Sequence, residues 1–433
     1  MASSINTNPN LAKTRIVCLS DTHSASPKDG AFKLPKGDVL IHAGDLTNQG
    51  TYAELKRTVD WIAAADFEVK IIVAGNHDIT LDAAFYKSHR RSFHSQHPES
   101  SPACLELLAE AAGIVYLNHT STTIRLTAPT GPRTTFRVFG SPYSPTVGNW
   151  AFSYPPCPSG RISSTLSSST ARDLWSAIPL DTDAVVTHTP AAHHLDLSPK
   201  WSHAGCPALH RRLWQIRPLL HVCGHVHEGR GVEIVRWGLD ASQPGREEGT
   251  TGWSDPALGS RGKESRVDLT GRRTAAQGNV LGRPIENDCS DVALVAPVQS
   301  YLHRLEGAGG MKLRKKGHEA AANGQLRELN ERGQMEGVVQ NHVSFSGVGE
   351  SETRTSSLHH EYLSAWTGRE GRKETCTVNA AIMARSFGMG AKRYNQPIVI
   401  EVDLPTWETR KDSEHAEVPS ESAGFERDIQ ERQ

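Results

Sequence analysis

From residue 14 to about residue 240, short apolar runs alternate with stretches in which apolar and polar positions recur at helical spacing. Val- and Ile-rich runs bounded by Gly, Pro or Asp stand at 15–20, 38–43, 69–74, 122–126, 135–140, 184–188, 219–223 and 232–237. Their length and composition predict β-strands. Between them, 52–65, 103–112 and 207–216 predict amphipathic helices. Strand, loop and helix in repetition argue for an α/β domain whose chemistry sits on the loops that follow strands.

Beyond residue 240 the pattern breaks. Residues 242–372 are rich in Gly, Ser, Arg, Glu and Gln, and only 291–302 and 311–336 hint at local structure, the latter as a charged helix. Such a composition buries too little apolar surface to offset chain ordering, so it predicts a largely disordered insertion. Strand-like sequence returns in TCTVNAAIMA and PIVIEVDLP. A lone hairpin is marginally stable, so these two late strands are expected to dock on the first domain and complete its sheet. The expected plan is a disordered tail at 1–13, a first domain segment at 14–240 and an insertion at 241–373. Closing strands at 374–407 and a charged tail at 408–433 complete it.

Composition narrows the function classes. The chain has 433 residues, 37% hydrophobic, and a mean hydropathy of -0.46. It has room for a sizeable core together with a poorly packed portion. A net charge of -1 leaves no overall nucleic-acid footprint and no polybasic membrane signal. No apolar run approaches the roughly 18 residues that span a bilayer. The first residues, MASSINTNPNLAKT, lack an apolar signal core, and seven cysteines form no CxxC pair. A reducing compartment, with the cytoplasm as default, is therefore expected.

Five segments carry the chemistry: Asp21-Thr22-His23, Gly44-Asp45, Gly75-Asn76-His77-Asp78, Thr187-His188 and Gly224-His225-Val226-His227. Each follows a predicted strand, where loops can gather ligands. Carboxylate, imidazole and amide oxygen suit hard-to-borderline divalent cations. Asp21, His23, Asp45 and His227 can hold one metal. Asp45, Asn76, His188 and His225 can hold a second, with Asp45 bridging. Other residues read more plainly. His193-His194 and His359-His360 are taken as solvent-exposed pairs, and His42 as a strand residue supporting the site. Cys18 and Cys223 read as small buried hydrophobes.

Taken together and in order, D-x-H, G-D, G-N-H-D, T-H and G-H-x-H resemble the signature of the calcineurin-like metallophosphoesterases. LSDTHS, GDVLIHAGDLTNQG, IIVAGNHDITLD, FGSPYSP, HTP and VCGHVHEGRGV are similar to one branch, the metallophosphoesterase-domain-containing proteins with cyclic-nucleotide phosphodiesterase-like activity. The late TCTVNAA and NQPIVIEVDLP resemble that branch as well. The resemblance implies a two-sheet β sandwich flanked by helices, interrupted here by the long low-complexity insertion. It also implies that His77 contacts the phosphate and protonates the leaving oxygen; Asp78, beside it in sequence where that branch often has Glu, is expected to orient it. Imidazole suits that task because it can carry and release a proton near neutrality.

The expected function is therefore a phosphoesterase, more narrowly a phosphodiesterase, that uses two ions of Mn²⁺, Fe²⁺/Fe³⁺ or Zn²⁺. A metal-bridging hydroxide would attack a small-molecule phosphate ester, with a 3′,5′-cyclic nucleotide as one substrate class. Loops 141–150 and 193–206, the latter with Trp201, are candidates for substrate choice. A non-catalytic, metal-stabilised scaffold that binds a protein partner through the insertion is the competing reading. A nuclease is disfavoured by the neutral charge.

Overall fold

The computed structural model describes residues 11–156, 166–199, 202–240, 243–257, 264–288, 371–384 and 392–407. The chain begins with β1 (Leu11–Leu19), β2 (Val39–Ala43), β3 (Val69–Val73) and β4 (Ile114–Tyr116). Helix α1 (Tyr52–Ala63) joins β2 to β3, and α2 (Ala83–Phe93) and α3 (Ser101–Glu110) join β3 to β4. β5 (Thr120–Arg125), β6 (Thr135–Ser141), the two-residue pair β7 (Ser144–Pro145) and β8 (Ser153–Tyr154), and α4 (Leu166–Ser176) follow. Next come β9 (Ala184–Thr187), the short pair β10 (Leu197–Ser198) and β11 (Ser202–His203), and α5 (Pro207–Ile216). β12 (Leu220–Cys223), β13 (Gly231–Trp237), β14 (Glu247–Gly252), β15 (Ser265–Asp268), β16 (Glu374–Asn379) and β17 (Ile398–Pro405) end the described elements.

Two mixed sheets result, in the orders β15-β17-β1-β2-β3-β4 and β14-β13-β16-β12-β9-β6-β5. They face each other across a core of alternate residues. Ile16, Cys18, Val39, Ile41, Ile71 and Val73 come from the first sheet, and Val138, Val186, Val222, Ile234 and Val378 from the second. The residues between them point outward and are covered in turn. Val17, Leu19, Leu40 and Ile72 pack with Leu55, Val59 and Ile62 of α1 and Cys104 and Leu108 of α3. Val185 and Val235 pack with Trp175 of α4 and Leu209 and Leu213 of α5. A strand buried on both faces reads as a continuous apolar run, which is why β2, VLIHA, is buried throughout. The fold is therefore a two-sheet sandwich flanked by helices, the architecture that the sequence resemblance implies.

Local chemistry sets the helix ends. The Thr51 hydroxyl accepts from the Glu54 N–H while the Glu54 carboxylate accepts from the Thr51 N–H, a reciprocal cap that starts α1. Pro207 opens α5, where its missing N–H costs no helical bond, and Arg217 stops it in a left-handed conformation.

The late strands lie inside the sheets. β16 runs parallel to β12 and antiparallel to β13, and β17 pairs with both β1 and β15. Two expectations need correction. β1 starts at Leu11, so Leu11, Ala12 and Lys13 pair with Pro405, Leu404 and Asp403 rather than belonging to a tail. The stretch 241–373 is also not uniformly an insertion, because β14 and β15 form outer edges of the two sheets. Arginines hold this polar segment. Arg273 and Arg15 pair with buried Glu401, Arg283 with buried Glu374, and Arg272 with Asp403. Ion pairs leave no hydrophobic period, so the segment's composition read as disorder. The helix expected at 311–336, the segment 291–302 and the pair His359-His360 lie outside the described residues. Among the described residues, no helix is long and apolar enough to cross a membrane.

Candidate metal centre

All five motif segments meet where β1, β2, β3, β9 and β12 end. Here the chain turns sharply: Asp21, His23, Asp45 and His225 adopt φ of 56°, 44°, 55° and 67°. Left-handed backbone outside glycine is uncommon, costs free energy and concentrates at functional sites. The loops are tied together by Asp21 N–H to Gly44 O at 2.9 Å and His23 N–H to Asp45 O at 3.0 Å. Backbone N–H groups also hold the carboxylates. His77 N–H donates to Asp45 Oδ1 at 2.9 Å, and His225 N–H donates to Asp21 Oδ2 at 3.0 Å.

Two groups of donors share Asp45. Its Oδ2 lies 3.6 Å from His23 Nε2 and its Oδ1 3.4 Å from His188 Nε2. On the first side, His227 Nε2 stands 3.4 Å from His23 Nε2 and 3.2 Å from Asp21 Oδ1. On the second, Asn76 Oδ1 stands 2.9 Å from His188 Nε2, and the His225 ring meets His188 edge-on at 4.9 Å. Asp21 reaches both groups, lying within 4.8 Å of donors of His23 and His227 and of Asp45 and His188.

The donor chemistry fits cations. His188 Nδ1 is 2.9 Å from Ala43 O and His23 Nδ1 is 3.2 Å from Thr47 O. A carbonyl only accepts, so both Nδ1 atoms carry hydrogen, and each Nε2 presents a lone pair when its ring is neutral. Those lone pairs face carboxylate and amide oxygens. Asp21 and Asp45 are buried, and among the described residues neither pairs with Lys or Arg; their ionic neighbours are histidines. With the rings neutral, lone pairs and anions gathered without a cation repel one another; a divalent ion on each side relieves this, in place of the protons that, against burial, the carboxylates otherwise draw to His188 and His227.

Residues 14–229 match the model of the Metallophos family, the calcineurin-like phosphoesterases. The chain belongs to this family. Metallophosphoesterase domain-containing protein 1 of Homo sapiens is 35% identical over 228 residues, which cover 51% of this chain and 62% of that protein. Probable rhamnogalacturonate lyase C of Emericella nidulans is 41% identical over 227 residues, covering 52% of this chain and 18% of that protein. The chain thus spans less than two thirds of the length of either relative. Among solved structures, TT1561 of Thermus thermophilus superposes with a TM-score of 0.30 at 13% identity, covering 49% of this chain and 81% of that one.

Within the phosphoesterase domain, proton affinities follow from burial and charge. Burial alone would raise Asp21, but the His227 hydrogen bond and the charges of His227, His188 and His23 hold it below the usual carboxylate range. Burial pushes His23 down to about 4 against the pull of Asp45 and Asp21. Burial, with His188 nearby, takes His225 to about 4. At His188 burial is outweighed by Asp45 and Asp21, and its affinity rises. Both carboxylates are thus ionised and His23 and His225 neutral at pH 7, the states that ligate metals.

The expectation for Asp78 needs correction. Its carboxylate accepts from Leu46 N–H at 3.1 Å, Thr47 N–H at 2.9 Å, Thr47 Oγ1 at 2.7 Å and Gly75 N–H at 2.8 Å. Every nearby donor it takes is on the loops after β2 and β3, so it braces those loops and leaves no bond for the His77 ring. Burial and the Asp45 charge lift it to about 6 despite these donors. The His77 ring is held by Asn48 O, 2.7 Å from its Nδ1, and by Trp150, whose ring lies 4.0 Å away. A backbone carbonyl has no sequence signature, so Asn48 was not foreseeable. The two histidines of G-H-x-H lie just past the strand. β12 ends at Cys223, and His227 begins a short 3-10 turn.

His42 is buried with Nε2 3.0 Å from Thr22 Oγ1. Cys18 and Cys223 are buried, and burial pushes both thiols up. Loop 141–150 reaches the site through Trp150, whereas Trp201 lies outside the described residues. Asn379 of β16 went unnoticed in the sequence. Its side-chain amide donates to Val226 O at 2.8 Å and Leu195 O at 3.0 Å, bracing the loop that carries His225 and His227.

Proposed function

We propose that this chain is a dinuclear-metal phosphodiesterase, with Asp21, His23, Asp45 and His227 holding one ion and Asp45, Asn76, His188 and His225 the other. The observation that supports this most is the pair of Asp45 oxygens, each turned to a different histidine at 3.6 and 3.4 Å. When bound, two ions supply Lewis-acid charge to a phosphate and an activated water near neutral pH. The protein's own part is positioning and proton transfer. Asp21 and Asp45 are fixed by backbone N–H groups, so the donors need little rearrangement to ligate. A His77 ring nitrogen lies within 4.8 Å of donors of His23 and Asp45, where it can deliver a proton to a leaving alkoxide.

An open cleft of about 570 Å³ adjoins His23 and is lined by Asn48, Arg57, Lys392 and Tyr394 among others. Arg57 is paired there with Asp29, while Lys392 and the Tyr394 ring beside the donors suit an anionic ester with a planar group, such as a cyclic nucleotide. The decisive experiment is Mn²⁺-dependent hydrolysis of bis(p-nitrophenyl) phosphate by the wild type and by Asp45→Asn. Turnover that chelation abolishes and Asp45→Asn lacks is the expected result. Folded, metal-loaded protein with no turnover in Mn²⁺, Fe²⁺ or Zn²⁺ would sink the enzyme reading. His77→Ala should keep its metals and lose about 10²–10⁴-fold in kcat on a cyclic nucleotide. It should lose far less on the nitrophenyl ester, whose leaving group needs no proton.

A further inference from the structure

We propose that His194, His210 and Glu247 form a separate site for one borderline divalent cation of the Zn²⁺ class, with Glu233 supporting His194 from behind. The cluster shares no residue with the candidate dinuclear centre. Its members come from three elements: His194 from the loop after β9, His210 from α5 and Glu247 from the start of β14. The His193-His194 pair reads as exposed in sequence. His193 is exposed, but only 2% of His194 is accessible.

The two histidines converge on Glu247 Oε1 at hydrogen-bond distance. Glu247 Oε1 lies 3.0 Å from His194 Nε2 and 2.8 Å from His210 Nε2, and the three donors fall within 4.8 Å of one another. Donors of a tetrahedral zinc site, with bonds near 2.0–2.1 Å, stand roughly 3.3 Å apart. A small outward movement therefore admits an ion. The other Glu247 oxygen accepts from Thr250 Oγ1 at 3.0 Å, which leaves Oε1 as the single carboxylate donor.

Behind His194, Nδ1 is 3.2 Å from Glu233 Oε2. Metal-ligating histidines commonly donate their other N–H to a carboxylate in this way, fixing the ring and raising its basicity. The charges also balance. Burial would lower the proton affinity of His194, but Glu233 and Glu247 hold it up to about 9, and a divalent cation with both rings neutral would take that proton's place and bring the cluster to zero. Trp237, 1% exposed, forms an apolar floor with its ring 5.6 Å from His210 and 6.2 Å from His194. Three protein donors leave one position for water.

The cation would brace the loop after β9. Leu195, next to His194, gives its carbonyl to Asn379, which also holds Val226 between His225 and His227. The test is a zinc count. Metal-free full chain is exposed to Zn²⁺, freed of excess by gel filtration and assayed by elemental mass spectrometry. Three equivalents are expected in the wild type, two in His210→Ala/Glu247→Gln and one in Asp45→Asn/His188→Asn. One equivalent in the wild type, lost in His210→Ala/Glu247→Gln, would support this site while removing the dinuclear reading. A count that His210→Ala/Glu247→Gln leaves unchanged overturns the proposal. Co²⁺ supplies a check that leaves the new site's residues intact: tetrahedral d–d absorption should persist in Asp45→Asn/His188→Asn, and its absence there is equally fatal.

Discussion

Gly75 and Gly224 show how single atoms shape the centre. A Cβ on Gly75 would fall 2.3 Å from both the backbone N and Oδ1 of Asp45, and one on Gly224 would fall 2.3 Å from Asp21 Oδ2. Real Cβ atoms do not approach that closely, so the two shared carboxylates would have to move. Gly75→Ala should therefore lose bound metal and at least about 100-fold in turnover, the sensitivity expected when reacting groups shift by an ångström. Elemental analysis and kinetics on the nitrophenyl ester check this; a variant with wild-type metal content and rate would refute the packing argument. At this scale the sequence was highly legible. The seven expected donors and His77 stand together because each motif follows a strand, and strands are readable from apolar runs. What escaped were contacts through the backbone and through packing. Asn48 O, Thr47 O and Ala43 O orient three histidines without any side chain to signal it. Asp78 looked like a partner of His77 because it adjoins it in sequence, yet its side chain braces the loops instead.

Among elements, β17 is joined by charge to β1 and to the chain just after β15, as well as by backbone bonds to both strands. Glu401, in the interior of β17, takes Arg273 at 2.6 Å and Arg15 at 3.0 Å. Burial would raise its carboxyl, but the Arg273 hydrogen bond and the charges of Lys13, Arg273 and Arg266 hold it below the ordinary range. Burial is likewise outweighed at Glu374 by Arg283, the Glu286 N–H and Arg236. A carboxylate depressed by folding stabilises the native state above its unfolded pKa, about 4.3, and loses that contribution as pH falls through the folded value. Wild-type Tm should therefore decline as pH drops below about 4.3. Glu401→Gln should cost about 1–3 kcal/mol at pH 7 and flatten that acid decline. Equal acid slopes for the two proteins in calorimetry would show that Glu401 does not carry the effect. Among the strands that sequence missed, β4 has only three residues, and β14 and β15 are short or polar: EEGTTG has no apolar residue and SRVD has one. Their place depends on partners, so no local pattern could announce them.

Across the whole molecule, β16 and β17 make the fold discontinuous in sequence. β16 separates β12 from β13, and β17 separates β1 from β15, so both sheets need chain from beyond residue 370. A chain ending at Asp288 should lack cooperative thermal unfolding and bind no stoichiometric metal; a cooperative melt with retained metal would show that the first segment folds alone. Hydrophobic periodicity and motif order determined the α/β class, most strands and the choice of candidate donors, because those are properties of residues near one another in the chain. Tertiary structure alone decided the sheet order, which carbonyl orients each imidazole, and the ion-pair docking of the Arg-rich segment. It also alone brought His194, His210 and Glu247 together. Each of these depends on which distant surfaces share a boundary, and contacts of that kind follow from packing two sheets and their flanking helices around common cores.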